Sequence, residues 1–163
     1  ELYKCLNFPY KWEFQKVLLE GEKAVDTTVL KHNKKYWIFT NKKEMVGASA
    51  HEELFLYYAD DIINGKWIAH PKNPIVSDVR YARPAGNIFL KDNKLYRPAQ
   101  NCSKRYGYGI NIQEIMTLNE NEYEEKNIDS ISPNWASDLL GTHTINHCEG
   151  LTIIDALIKQ SKF

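Results

Sequence analysis

The stretch "VLKHNKKYWIF", residues 29–39, decides the fold, because it places a polar bend between two runs of β-branched and aromatic residues. Such runs are typical of β-strands, and a short polar turn between them predicts a hairpin. The chain then repeats the phrase: "LKHNKKYW" from Leu30 returns as "LKDNKLYR" from Leu90. A supersecondary unit that recurs along a chain is the sequence signature of a repeat architecture.

The chain contains three such hairpins, and the first two are each followed by a second strand pair. The hairpin turns are predicted at His32-Asn33-Lys34, Asp92-Asn93-Lys94 and Glu149-Gly150. The second pairs are "HEELFLYYADDIINGKW" and "YGYGINIQEIMTLNENEYEEK". An inner hairpin followed by an outer one, about four strands in all, is typical of a propeller blade.

We therefore predict an all-β fold in which residues 1–163 form part of a β-propeller. Residues 1–23 are expected to be outer strands of a preceding blade, 24–80 and 81–138 one blade each, and 139–163 closing strands. Propellers have about 4 to 8 blades. Three blades therefore predict either a larger ring, whose earlier blades lie outside this sequence, or a chain that completes a ring by other means.

The bulk composition is that of an ordinary globular domain, with 163 residues, 43% hydrophobic and 26% charged. Twenty-one basic and 21 acidic residues leave no net charge to attract nucleic acid. No apolar run approaches the roughly 18 residues that a membrane span requires. Three widely spaced cysteines, Cys5, Cys102 and Cys148, argue against a disulfide framework and predict a reducing compartment such as the cytoplasm.

Candidate functional residues precede the three inner hairpins. In a propeller, equivalent positions of successive blades converge on one central channel. Those positions hold Asp26, then Asp78, Arg80 and Arg83, then His143. A carboxylate, guanidinium groups and an imidazole in one cleft would bind a polyhydroxylated or anionic ligand. The structural alternative is that Asp26 caps a turn, that Asp78 pairs with Arg83, and that His143 bonds a buried backbone group.

Two more polar residues, Arg97 and Gln100, interrupt an inner strand in "LYRPAQ". A channel-facing Arg97 beside Gln100 would suit a sugar or a phosphate, whereas a salt bridge between blades is the structural alternative. Tyr106 begins an aromatic-glycine loop that would either stack on a ligand or form a plain turn.

A metal site is not expected. His143 and His147 are four residues apart, which on a helix would place both imidazoles on one face. On a strand, at about 3.3 Å per residue, they lie roughly 13 Å apart. Because the segment is predicted to be a strand, we expect neither a metal nor another cofactor.

The long stretches "FPYKWEFQKVLLEGEKAVDTTVLKHNKKYWIFT", "LFLYYADDIINGKWIAHPKNPIVSDVRYARPAGNIFLKDNKLYRPAQNCSKRYGYGINIQEI" and "GTHTIN" together resemble a known family. This is the propeller domain at the N-terminus of plant glucosamine inositolphosphorylceramide transferases and of bacterial proteins with glycosyltransferase or formyltransferase domains. "ARPAG" and "RPAQ" are the most specific part. The resemblance implies a five-bladed propeller related to glycoside hydrolase family 43, of which this chain would be the C-terminal three blades.

Family 43 hydrolases use three acids, and the resemblance implies which of them this chain keeps. One of the three is an Asp that adjusts the pKa of a neighbouring catalytic group and orients that group. "AVDTT" is similar to the phrase that carries this Asp, and the resemblance would give Asp26 the same role. The general base would lie before Glu1, and Arg83 stands where the general-acid Glu is expected. An arginine, with a pKa above about 12, delivers no proton at neutral pH.

The sequence is compatible with three functions. The first is a carbohydrate-recognition propeller for a sugar or sugar phosphate, part of a larger glycan-modifying protein with further blades or a fused transferase domain. The second is a glycoside hydrolase or glycosyltransferase-associated enzyme that uses Asp26. Hydrolysis would require a second carboxyl group within about 5 to 10 Å of Asp26. The third is a docking scaffold, which exposed apolar outer strands would mark.

Overall fold

In the computed structural model, which describes residues 1–43 and 49–160, every helix or strand assigned is a β-strand. The all-β prediction is confirmed. The strands are β1 (Leu2–Asn7), β2 (Lys11–Lys16), β3 (Ala24–His32), β4 (Lys35–Lys42), β5 (Glu53–Ala59), β6 (Ile68–Ala69), β7 (Val76–Ser77), β8 (Phe89–Lys91), β9 (Lys94–Asn101), β10 (Gly109–Leu118), β11 (Tyr123–Ile131), β12 (Leu139–Gly141), β13 (Ile145–Cys148), β14 (Leu151–Ile154) and β15 (Leu157–Ile158).

All strand pairs within the described residues are antiparallel. The first large sheet has the order β3-β4-β5-β6, and the short strand β7 also pairs with β5. The second has the order β8-β9-β10-β11. Three two-stranded sheets, β1-β2, β13-β14 and β12-β15, complete the topology. The last strand therefore returns to β12 instead of extending the β13-β14 hairpin.

The three predicted hairpin turns are confirmed, and their backbone shows why the phrase repeats. Each two-residue connection has positive φ at both positions: 50° and 64° at Asn33 and Lys34, 50° and 58° at Asp92 and Asn93, and 47° and 82° at Glu149 and Gly150. Two consecutive residues with φ > 0 form the turn that matches the twist of antiparallel strands. Asn, Asp and Gly tolerate that conformation best.

The main core lies between the two large sheets. Phe39 of β4, Leu56 of β5 and Ile115 of β10 are buried in one apolar cluster, and Tyr123 of β11 packs against it. The opposite face of the first sheet is covered as well, because Leu18 and other apolar side chains pack on Ile38, Phe55 and Tyr57. Apolar burial on both faces accounts for the nearly continuous hydrophobic runs in β4 and β5.

The segment "ARPAG", residues 82–86, joins three sheets through its backbone. The Ala85 N–H donates to Pro98 of β9 at 3.0 Å, and the Ala85 carbonyl accepts from Ile145 of β13 at 2.8 Å. The Gly86 carbonyl accepts from the Thr28 hydroxyl of β3 at 3.2 Å. The segment thus holds together the starts of the three hairpins, where the candidate residues lie.

Across the part of the chain that the structure describes, no helix has the length and apolar character needed to cross a bilayer.

Candidate functional site

A cavity of about 310 Å³ lies where the three hairpins meet. Strand β3, the connection before β8 and strand β13 each contribute to its wall. Its wall includes Asp26, Thr28, Gly86, Gln100, Tyr106 and His143. Most of the wall is polar, and the cavity is open to solvent.

Asp26 reaches the cavity through a β-bulge. Val25 pairs with Asn41 and Thr28 with Phe39, so that two residues of β3 oppose the single residue Thr40. Asp26 itself has a φ of 49°. A bulge re-aims a side chain out of its regular alternation, and aspartate is one of the residues that tolerates positive φ. The distortion turns the carboxylate toward the second sheet.

Arg83 fixes the Asp26 carboxylate through a hydrogen bond, and it does so without lining the cavity itself. Its Nε donates to Asp26 Oδ2 at 2.6 Å, and Gln100 Nε2 donates to the same oxygen at 3.0 Å. Arg83 Nη1 donates to the Ala50 carbonyl at 2.8 Å and to His51 Nδ1 at 2.6 Å. Because the guanidinium is largely buried and bonds several partners, it orients Asp26 firmly.

Aromatic rings continue this network along the wall. The Arg83 guanidinium lies over the Tyr106 ring, 4.9 Å from its centroid. Tyr106 in turn contacts His51 on one side and His143 on the other, with centroid distances of 5.4 and 5.5 Å. Burial, followed by the Arg83 charge, lowers the pKa of His51. His51 therefore stays neutral and accepts the Arg83 hydrogen bond.

His143 pairs with Asp155. The ring Nδ1 bonds Asp155 Oδ2, while Asp155 Oδ1 accepts the backbone N–H groups of His143 and Thr144, both at 2.8 Å. Burial alone would raise the pKa of Asp155, but these backbone donors and the His143 ring together hold it below its usual value. The carboxylate is thus ionised and fixed in place.

Of the residues predicted from sequence, the structure brings together Asp26, Arg83, Gln100 and His143. Asp78 and Arg80 lie outside the cavity. They pair with each other, with Arg80 Nη2 2.6 Å from Asp78 Oδ2, on a mostly exposed turn. The sequence-based alternative of an Asp78–Arg83 pair is therefore wrong, since Arg83 bonds Asp26 instead.

Arg97 does not face the cavity, which corrects the prediction that it lies beside Gln100 in the channel. Its guanidinium is buried and donates twice to Glu125, at 2.9 and 2.6 Å, and once to the Tyr81 carbonyl at 2.6 Å. Successive side chains of a strand point to opposite faces, and Arg97 shares its face with the core residue Leu95. The salt bridge lies within one sheet, between β9 and β11, and not between two blades.

Sequence reasoning missed His51 and Asp155. His51 lies in the connection after β4, and Asp155 lies between β14 and β15, outside the repeated phrases that located the other candidates. The single local signal for Asp155 was that its carboxylate interrupts the apolar run "LTIIDALI". Among the described residues, no group of three or more His, Cys, Asp or Glu side chains is arranged to hold a metal ion.

Comparisons with known proteins identify the family. Residues 1–137 match the family described as "Glucosamine inositolphosphorylceramide transferase 1, N-terminal". The chain belongs to this family. It is 36% identical over 126 residues to glucosamine inositolphosphorylceramide transferase 1 of Arabidopsis thaliana, covering 76% of this chain and 16% of that protein. The protein of the same name from Oryza sativa subsp. japonica is 31% identical over 126 residues, covering 76% and 17%.

Membership in the glucosamine inositolphosphorylceramide transferase 1 N-terminal family confirms the resemblance read from the sequence. The chain spans about a sixth of the length of these curated relatives. Among solved structures, a GH43 β-xylosidase/α-arabinofuranosidase from a compost microbial metagenome, in complex with xylotriose, matches with a TM-score of 0.42 and 15% identity. That match covers 69% of this chain and 37% of the other. Similarity at this level supports no functional comparison.

Proposed function

We propose that this chain forms the carbohydrate-recognition part of a larger glycan-modifying protein, and that the cavity at Asp26 is the binding site. The observation that carries the proposal is the convergence of Asp26, Gln100, Tyr106 and His143 on one open polar cavity. Sugars are bound by fixed hydrogen-bonding groups together with an aromatic ring against which their C–H faces pack. The cavity offers both.

The proposal includes the architecture, in which the chain supplies three neighbouring blades of a five-bladed propeller. Support comes from the two large sheets, of five and four strands, and from the three hairpins whose first strands, or the connections before them, line one cavity. The remaining blades and a transferase domain would belong to the rest of the polypeptide, because the curated relatives are about six times longer than the matched region.

A catalytic role for Asp26 is the weaker alternative. Glycoside hydrolysis needs two carboxyl groups on opposite sides of the scissile bond. Among the described residues that line the cavity, Asp26 is the single carboxylate, and it is ion-paired with Arg83 at 2.6 Å. A partner acid would have to come from outside the residues that line this cavity.

A docking role is favoured by one separate feature, the exposed aromatic surface of the β1-β2 hairpin. Phe8, Tyr10 and Trp12 are all exposed there, and Tyr3 packs edge-on against Phe14. Apolar surface of this kind marks an interface. We propose that other blades of the same protein cover it, so that docking accompanies carbohydrate recognition and does not replace it.

Asp26→Asn is expected to weaken sugar binding by about 10- to 100-fold, because it removes a charged hydrogen-bond acceptor from the cavity wall. The measurement is a glycan array with the complete protein, followed by calorimetry on the strongest sugar. Asp78→Asn is the matched control, since Asp78 also pairs with an arginine but lies away from the cavity. Equal losses in both variants, or turnover of a chromogenic glycoside that Asp26→Asn abolishes, would contradict recognition as the function.

A further inference from the structure

The charges around the cavity restrict the class of ligand. Among the described lining residues, Asp26 is the single formally charged side chain, and its charge is negative. The nearest guanidinium, Arg83, is already bonded to that carboxylate and to the loop at Ala50. Among the described residues that line the cavity, a phosphate would meet one carboxylate and no unpaired Lys or Arg, which is unfavourable at close range. Of the two ligands that the sequence left open, the cavity favours the uncharged sugar.

Asp155 fixes which His143 nitrogen carries the proton. A carboxylate accepts hydrogen bonds and donates none, so the Nδ1 that bonds Asp155 Oδ2 must carry hydrogen. In the neutral ring Nε2 is then an acceptor. No group among the described residues hydrogen-bonds this nitrogen. A neutral His143 in the cavity wall therefore has one acceptor nitrogen, whose direction Asp155 fixes.

We propose that the cavity binds an uncharged, hydroxyl-rich sugar ring, and that Asp155 positions His143 so that Nε2 accepts a hydrogen bond from one sugar hydroxyl. The inference rests on the proposed function, which it narrows. Asp155 is a positioning residue, because it acts through His143 and does not line the cavity. Tyr106, 5.5 Å from the His143 ring at an interplanar angle of 77°, restricts the ring from the other side.

The substitution Asp155→Asn gives a test because the backbone dictates how the new amide must lie. Two backbone N–H groups donate to Asp155 Oδ1, so the asparagine oxygen takes that place and its NH₂ group faces His143. The NH₂ group then donates to Nδ1, and the ring proton moves to Nε2. The variant thus converts Nε2 from an acceptor into a donor without changing the fold of the loop.

The experiment is a scan of monodeoxyfluoro analogues of the strongest-binding neutral sugar, carried out on the complete protein. Fluorine in place of a hydroxyl removes the donated hydrogen bond. In the wild type, one position is expected to lose about 10-fold in affinity because Nε2 is left unpaired. In Asp155→Asn the parent sugar weakens and the penalty at that position disappears. His143→Phe, which lacks the acceptor, is expected to lose the same positional penalty, and it provides the test if Asp155→Asn does not fold.

Each outcome bears on a different part of the inference. If Asp155→Asn and His143→Phe weaken all analogues by the same factor, Asp155 has only a structural role and the assignment of Nε2 is wrong. If inorganic phosphate or the 6-phosphate of the sugar competes as strongly as the sugar itself, the uncharged ligand class is wrong. In both cases the proposed function would still stand if Asp26→Asn weakens the binding of the sugar. If no sugar binds the complete protein at all, the proposed function fails and this inference fails with it.

Discussion

Replacing Glu125 with methionine is expected to destabilise the complete protein by about 3–5 kcal/mol. The substitution leaves the Arg97 guanidinium buried without its carboxylate. Burial alone would lower the pKa of Arg97, but Glu125 and Tyr123 together outweigh burial and raise the pKa, so the arginine keeps its charge. The Tyr123 hydroxyl, which also donates to Glu125, loses its acceptor. Thermal and urea unfolding of the complete protein would measure the loss.

Two further variants separate the ion pair from general surface effects. Glu124→Met changes the neighbouring exposed residue of β11 and is expected to alter stability by less than about 0.5 kcal/mol. The double variant Arg97→Met/Glu125→Met removes both charges and is expected to be more stable than Glu125→Met alone, because no uncompensated charge remains. The single variant Arg97→Met completes the comparison, and a double variant whose destabilisation is the sum of those of Glu125→Met and Arg97→Met would contradict the assigned pairing.

Gly86→Ala is expected to cost about 3 kcal/mol or more, because the position allows no side chain. A Cβ at Gly86 would lie 1.9 Å from the Ile145 carbonyl oxygen, and the residue has a φ of 137°. The Gly86 carbonyl accepts a hydrogen bond from the Thr28 hydroxyl, so a shift of this segment disturbs contacts to two sheets. The cavity wall at Gly86 would be displaced too, and sugar binding should fall together with the unfolding temperature.

Gly150→Ala is the matched control for this prediction. Gly150 also has a positive φ, 82°, but nothing lies within 4 Å of the position of its Cβ. Its substitution should therefore cost only the backbone strain, about 1–2 kcal/mol. Equal effects at the two positions would show that the close approach of Gly86 to β13 is not present in the protein.

The strands and turns of this fold could be read from sequence because their determinants are local. A two-residue turn with positive φ at both positions favours Asn, Asp or Gly at one of them at least, and the flanking apolar runs give the strands. Asp26 and His143 were found by the same logic, since each precedes or begins a repeated phrase. The number of blades in the complete ring was inferred from resemblance alone and remains a proposal.

The pairing of the site residues could not be predicted, because it depends on contacts between distant segments. Arg97 and Gln100 occur in one short phrase, yet one is buried against Glu125 and the other bonds Asp26. Choosing between them required knowing which face of β9 is covered by the first sheet. The contact of Asp155 with His143 could not be predicted for a related reason. Asp155 reaches His143 only because β14 and β15 fold back beside that residue.

The most direct test of the central claim is a crystal structure of the complete protein with the strongest-binding sugar from the array. We expect the sugar in the cavity between Asp26, Tyr106 and His143, packed against the Tyr106 ring and within hydrogen-bond distance of Gln100 and of His143 Nε2. A sugar bound elsewhere, for instance in the apolar cavity beside Phe89 and His147, with this one left to solvent, would contradict the claim.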